Sequence, residues 1–270
     1  MVYSSPLLTK PITVRTLQQC KHNDEKFACV ALYDAQTAAI AEEQGIEVVL
    51  VGDSLGMTIQ GHMSTLPVTM EHMIYHTEAV SRGNSKSLII ADLPFMAYST
   101  PEQAMANAAR LMQAGAHMVK MEGGAWLEST ISMLTERGVP VCAHLGLTPQ
   151  SVNKFGGFRV QGREEEQADV ILRDAQLLDQ AGADLVVLEC VPAALATKVT
   201  DAVAMSTIGI GAGKHTDAQV LVVNDLIGLT ANPPKFSKNF LAEAGNVPAA
   251  IRLFSDEVKM GVFPAQENIF

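Results

Sequence analysis

Acidic side chains recur directly after short apolar runs in this chain. Val48-Val49-Leu50-Val51 breaks into Gly52-Asp53-Ser54, Ile89-Ile90-Ala91 ends in Asp92, and Leu185-Val186-Val187-Leu188 ends in Glu189. Met118-Val119 runs into Lys120-Met121-Glu122. A carboxylate held beside an apolar strand needs a cation or hydrogen-bond donors. Acids gathered at one end of successive buried strands therefore indicate a metal or acid–base site. Asp53, Asp92 and Glu122 are hard oxygen donors, suited to Mg²⁺ and not to zinc. Lys120 and Glu122 alternate by two, so on a strand they share a face. A cation on one side and an ammonium on the other would clamp a 2-oxo acid. Glu189, on a strand across the sheet, is placed to act as a base where it is not a metal ligand. His144 ends the run Val141-Cys142-Ala143 and points to the same end, as a donor or a structural group.

Other patterns point elsewhere. Gly52-Asp53-Ser54-Leu55-Gly56 fits the G-x-S-x-G nucleophile elbow and contains the string GDSL of an esterase family. An elbow needs a helix directly after the serine, and residues 57–67 carry Gly61 and Pro67 without helical period. No histidine has Asp three residues before it, as the esterase pair requires. Ile208-Gly209-Ile210-Gly211-Ala212-Gly213 has G-x-G-x-G spacing, not the dinucleotide spacing, and reads as a tight turn that lets a ligand approach the backbone. His62, His72, His76 and His117 share no spacing and read as surface or satisfied groups. Cys20, Cys29, Cys142 and Cys190 are far apart, without CxxC or zinc spacing, which fits reduced thiols of a cytosolic protein.

The elements that must position these residues alternate regularly. Strand-like runs cover 27–32, 47–51, 87–91, 118–121, 140–143, 185–188, 207–210 and 220–226, and each is expected to be followed by a helix. Thr100-Pro101-Glu102-Gln103 has the form of a capping box with Pro at the first helical position, and Thr69 suits the cap of the preceding helix. Met70, Met73, Ile74, Thr77 and Val80 fall on one helical face. Gly45, Gly83, Gly115, Gly138 and Gly182 suit the left-handed position after a helix. Long loops at 54–68 and 146–162 follow strands, as active-site loops of a (β/α)8 barrel do. With 270 residues, the whole chain 1–270 is read as one (β/α)8-barrel domain, residues 1–25 forming an N-terminal extension with a helix near 14–20. A net charge of −10 argues against nucleic acid or an anionic membrane as partner. No apolar run reaches the ~18 residues of a membrane helix, and the first residues lack the features of a secretory signal.

Several long strings resemble the ketopantoate hydroxymethyltransferase family: LVGDSLGMTIQGH (50–62), TLPVTMEHMIYHT (65–77), ADLPFMAYSTPEQA (91–104), VKMEGG (119–124), HLGLTPQSVNKFGGFRVQGR (144–163), VLECVP (187–192), IGIGAG (208–213) and PKFSKNF (234–240). The resemblance runs from about residue 12 to about residue 264. It implies a Mg²⁺-dependent TIM barrel of the phosphoenolpyruvate/pyruvate type, assembled as a homo-oligomer, commonly a decamer. It also implies transfer of a one-carbon unit from 5,10-methylenetetrahydrofolate to 3-methyl-2-oxobutanoate in the cytoplasm. The family's metal carboxylates fall on Asp53, Asp92 and Glu122, its substrate contacts on Asp53, Ser54, Asp92 and Lys120, and its proton acceptor on Glu189. The chain departs from the family pattern at Met63, where an acid is usual, at Ala218, at Ala31-Leu32 and at residues 229–233, which lack glycine. Two other readings share some of these features. One is another metal-enolate enzyme on the same barrel, such as a lyase or aldolase; the other is a barrel that only binds a ligand or assembles.

Overall fold

A computed structural model describes residues 8–270. Eight parallel strands close into a barrel in sequence order: β1 Phe27–Ala31, β2 Val48–Val51, β3 Leu88–Asp92, β4 Met118–Glu122, β5 Val141–Gly146, β6 Leu185–Glu189, β7 Ser206–Ile210 and β8 Ala218–Val222, with β8 pairing back onto β1. Nearly every strand residue is buried, because one face fills the lumen and the other meets the surrounding helices. The helix Met70–Gly83 shows how the outer layer is held. It buries Met70, Met73, Thr77 and Val80 on one face, and a fully buried side chain such as Met73 contributes about 1.5–3 kcal/mol. Thr69 caps that helix by accepting from the His72 backbone N–H, while His72 Nδ1 accepts from the Thr69 N–H, so His72 is a capping residue.

The helix Val14–His22 buries Leu17 and lies against the start of β7, with Lys21 Nζ 2.9 Å from Asp217 just before β8. It therefore closes the end of the barrel opposite the acids.

Five details differ from the sequence reading. β8 stops at Val222, and Val223–Leu226 is a short helix, because an unbroken apolar run carries no mark where strand gives way to helix. No helix separates β7 from β8; residues 211–217 return directly, with Gln219 Nε2 donating to Gly213 O at 2.9 Å. The glycines there admit the chain's own side chains, not a ligand: a Cβ on Gly209 would stand 2.6 Å from Thr216 Oγ1, and one on Gly211 2.9 Å from the Phe270 ring. Gly83 ends its helix without positive φ, unlike Gly45, Gly115, Gly138 and Gly182; a Cβ at Gly83 would lie 1.9 Å from Ala35 O, so close helix packing requires it. Finally, Thr100 does cap its helix, but Gln103 Oε1 accepts from the Ser99 N–H, not from Thr100.

Candidate active site

Strand register assembles the site. Asp92 lies opposite Lys120 across β3 and β4, and Glu122 lies opposite His144 across β4 and β5. Val187 is opposite His144, so Glu189, two residues on, sits diagonally on the same face. These side chains meet at the C-terminal mouth of the barrel. Lys120 Nζ is 2.8 Å from Asp92 Oδ1 and 3.7 Å from Glu122 Oε1. His144 Nδ1 is 3.3 Å from Glu122 Oε1, and its Nε2 is 3.3 Å from Glu189 Oε2. The Asp92–Lys120 and His144–Glu189 contacts are close but out of line for hydrogen bonds. Asp53 follows β2, and its N–H donates to Asp92 Oδ2 at 3.0 Å.

Two residues that sequence reasoning did not single out tie this cluster together. Gln150 Nε2 donates to Asp53 Oδ2 at 2.9 Å, and its backbone N–H donates to Glu122 Oε2 at 2.9 Å. The Tyr98 hydroxyl donates to Gln150 Oε1 at 2.5 Å. Both lie within strings already noted for resemblance, but neither ends a strand, so nothing in the alternation marks them. A third, Tyr33, places its hydroxyl 2.8 Å from Ser54 Oγ.

Burial makes the charge balance matter. Asp53, Asp92, Lys120, Glu122 and His144 are all at most 4% exposed. Burial would lower the Lys120 ammonium, but Asp92, Glu122 and Asp53 outweigh it and hold its pKa above the ordinary value. Burial and Lys120 both pull His144 down, yet Glu122 and Glu189 raise it to about 9, so the ring is an imidazolium at neutral pH. Burial pushes Glu122 up, but His144, Lys120 and the Gln150 N–H bring it below its usual range. Burial raises Asp92 despite Lys120. Asp53 is pushed well up, by burial first and then by the charges of Asp92 and Glu122. Glu122 thus has His144 and Asp92 has Lys120, while Asp53 has no cation in contact with it among the described residues and its surroundings favour the neutral carboxyl.

A divalent cation beside Asp53 would favour its charged form. Asp53 and Asp92 supply hard oxygens, and Asp92 Oδ1 is buried without a hydrogen bond. No group of three or more acidic, histidine or cysteine side chains among the described residues closes into a metal cage. Mg²⁺ usually takes one or two carboxylates plus water and substrate oxygens, so a pair suffices. Both Glu122 oxygens are already engaged, one by His144 and the other by Gln150.

One expectation needs correction. A short helix, Leu55–Thr58, does follow Ser54 directly. The esterase reading fails on other grounds: Ser54 has relaxed helical angles (φ −52°, ψ −18°) in place of a strained elbow, and its hydroxyl partner is Tyr33, not a histidine. Lys120 is buried in an ion cluster. Glu189 has His144 beside it, and its side chain is 14% exposed.

A cavity of about 770 Å³ opens above these residues. Ala31, Leu50, Val187, Ile210 and Val220 line it apolarly, and Met57, His62, Met63, Phe158, Arg159 and Leu229 lie among its lining residues. Met63, one of the departures, is 91% exposed there.

Comparisons with known proteins bear on the family and the fold. The profile described as ketopantoate hydroxymethyltransferase matches residues 11–266. A protein of Saccharophagus degradans named 3-methyl-2-oxobutanoate hydroxymethyltransferase is 66% identical over 270 residues, covering 100% of both chains. One of the same name from Escherichia fergusonii is 59% identical, covering 97% of this chain and 99% of that one. Among solved structures, phosphonopyruvate hydrolase superposes with a TM-score of 0.61 at 13% identity, covering 81% of this chain and 84% of that one. 2,3-Dimethylmalate lyase, described as a member of the PEP mutase/isocitrate lyase superfamily, gives 0.55 at 15%, covering 77% and 80%. At such identities these neighbours establish the TIM-barrel fold alone. Matched by the family profile almost throughout and by relatives over its full length, the chain belongs to the ketopantoate hydroxymethyltransferase family.

Proposed function

We propose that this enzyme transfers a hydroxymethyl group from 5,10-methylenetetrahydrofolate to 3-methyl-2-oxobutanoate, forming 2-dehydropantoate for pantothenate and coenzyme A synthesis. The observation that carries this reading is the chain of buried charges from Asp53 through Asp92, Lys120, Glu122 and His144 to Glu189 at the barrel mouth. Relatives bearing the hydroxymethyltransferase name support the substrate.

Asp53 and Asp92 would hold Mg²⁺, with Glu122 behind them in contact with Lys120 and His144. When bound, the ion supplies Lewis-acid polarisation of the 2-oxo group. Lys120, pinned by Asp92 and Glu122, presents positive charge to the substrate carboxylate, and Ser54 offers a hydroxyl from the neighbouring strand end. Glu189 takes the C3 proton, and the electron pair of that C–H bond moves into the enolate. A positioned base of this kind contributes typically ~10²–10⁴-fold. His144, charged and touching Glu122 and Glu189, orients the base. Water adds to the methylene carbon of the iminium form of the folate, and the carbon–nitrogen bond breaks to release tetrahydrofolate and formaldehyde. The enolate carbon bonds to the carbonyl carbon of that formaldehyde, whose oxygen takes up a proton and becomes the new hydroxyl.

Homo-oligomeric assembly, as a decamer, and cytoplasmic residence belong to the same reading. Exposed Tyr75 (68%) and Trp126 (60%) support a subunit face, which sedimentation would test. Among the described residues no helix is long and apolar enough to cross a membrane.

The test has two arms. Product should form from 3-methyl-2-oxobutanoate only with both methylenetetrahydrofolate and Mg²⁺; folate-free cleavage of an oxo acid would favour a lyase instead. Glu189→Gln should keep substrate binding but lose exchange of the C3 proton with deuterated water. Exchange at the wild-type rate would remove Glu189 as the base.

A further inference from the structure

The charge cluster fills only one side of the cavity. On the other side, the short helix Val223–Leu226 carries two polar side chains into the cavity lining, Asn224 and Asp225. Neither has a part in the proposed proton transfer. Asp225 is 8% exposed, and its Oδ1 accepts from the Thr230 hydroxyl. Its Oδ2 has no protein partner among the described residues. Asn224 Oδ1 is buried and likewise unpartnered. Two acceptors left without donors beside a cavity call for a ligand with donors.

Register places them relative to the reacting centre. Val222, Ala31 and Leu50 stand level across β8, β1 and β2. Asp225 is three residues beyond Val222, and Asp53 is three beyond Leu50. With strands ~4.8 Å apart, the two carboxylates are separated by roughly 10 Å around the rim. The small oxo acid is an anion and is drawn to Lys120; Asp225 would repel it. The second substrate must therefore reach this side.

We infer that Asp225 and Asn224 form the recognition edge for the pteridine of the folate co-substrate, an inference that rests on the transferase reading above. The 2-amino-4-oxo edge of a pteridine presents N3–H and the 2-amino group side by side. A carboxylate accepts such paired donors in a charge-assisted array. Met57, Phe158 and Leu229 line the same cavity and offer apolar surface to the ring faces, while Arg159 and Lys235 offer charge to an anionic tail.

The test uses Asp225→Asn in the full-length enzyme, since Asn keeps the shape but replaces an acceptor with a donor. The KM for methylenetetrahydrofolate should rise about tenfold to a hundredfold, as for loss of a hydrogen bond to a charged group. The KM for 3-methyl-2-oxobutanoate and the folate-free exchange of its C3 proton should stay at wild-type values. An unchanged folate KM overturns the inference. Loss of proton exchange also overturns it, because the residue would then support the reacting centre. If Asp225→Asn does not fold, Asn224→Ala replaces it, with a smaller rise in folate KM expected and an unchanged one overturning the inference. Wild-type turnover indifferent to folate would sink the transferase reading itself, and it is seen without any variant.

Discussion

Replacing Gln150 with Leu tests whether the site is held by the network described above. The side chain is 7% exposed and makes three hydrogen bonds: Nε2 to Asp53 Oδ2 at 2.9 Å, Nε2 to Leu93 O at 3.0 Å, and Oε1 from the Tyr98 hydroxyl at 2.5 Å. Leu is similar in size and leaves the backbone N–H bond to Glu122 in place. The bond to the carboxylate contributes about 1.5–3 kcal/mol and each neutral bond about 0.5–1.5. Shared partners make these terms less than additive, and burying Leu returns part of the loss. The expected destabilisation is about 3 kcal/mol, read as a shift in urea midpoint at constant slope. Asp53 would also lose the donor that orients it, so Mg²⁺ affinity measured by calorimetry should fall about 10–100-fold. A loss below about 1 kcal/mol together with unchanged cation affinity would refute the claim that Gln150 holds Asp53 in place.

The buried ion cluster gives a second expectation. Lys120→Met leaves Asp92 and Glu122 without their ammonium and should cost about 3–5 kcal/mol in metal-free buffer; equal urea midpoints would show that the carboxylates do not depend on it. Glu42 accepts from the Ser85 hydroxyl at 2.8 Å and the Lys86 N–H at 2.6 Å, and although burial pushes its carboxyl up, these donors bring it below the usual range. A depressed folded-state pKa means stability present above the unfolded value of about 4.3 and lost as pH falls through the folded one. Glu42→Gln should cost about 1 kcal/mol at pH 7, after allowing for solvent screening, and the gap from wild type should close in acid; a gap independent of pH would contradict this. Gly83→Ala should cost about 1–3 kcal/mol, since its Cβ would stand 1.9 Å from Ala35 O. A neutral or stabilising effect in a thermal melt would mean that the two helices separate easily.

The strands were legible because burial on both faces leaves unbroken apolar runs, and each run that breaks into a charge marks a C-terminal end. That signal fails where the run does not break. The apolar run of 220–223 continues from β8 into the helix Val223–Leu226, so the pattern alone extends the strand past its true end at Val222. It also fails for elements too short to show a period, such as the helix Leu55–Thr58 after Ser54. The β7–β8 return departs from the pattern for a related reason: regular alternation predicts a helix, whereas glycines at 209, 211 and 213 let the chain turn back tightly.

The site was legible in its residues but not in its pairings. Alternation by two put Lys120 and Glu122 on one face without saying what faced them. That depends on register, which no local pattern encodes for parallel strands joined by long crossovers. Register sets Asp92 against Lys120 and Glu122 against His144, and places Glu189 one step along the diagonal. Two of the three acids at Asp53, Asp92 and Glu122 therefore arrive with a cation from the adjacent strand. Asp53 lies past the end of β2, beyond the ladder, and receives only the Gln150 amide. The geometry thus leaves one carboxyl without a cation of its own, beside a second whose Oδ1 is buried without a hydrogen bond. A cation entering there would be drawn to the Asp53–Asp92 edge of the cluster, leaving Glu122, His144 and Glu189 free to form the proton-handling side.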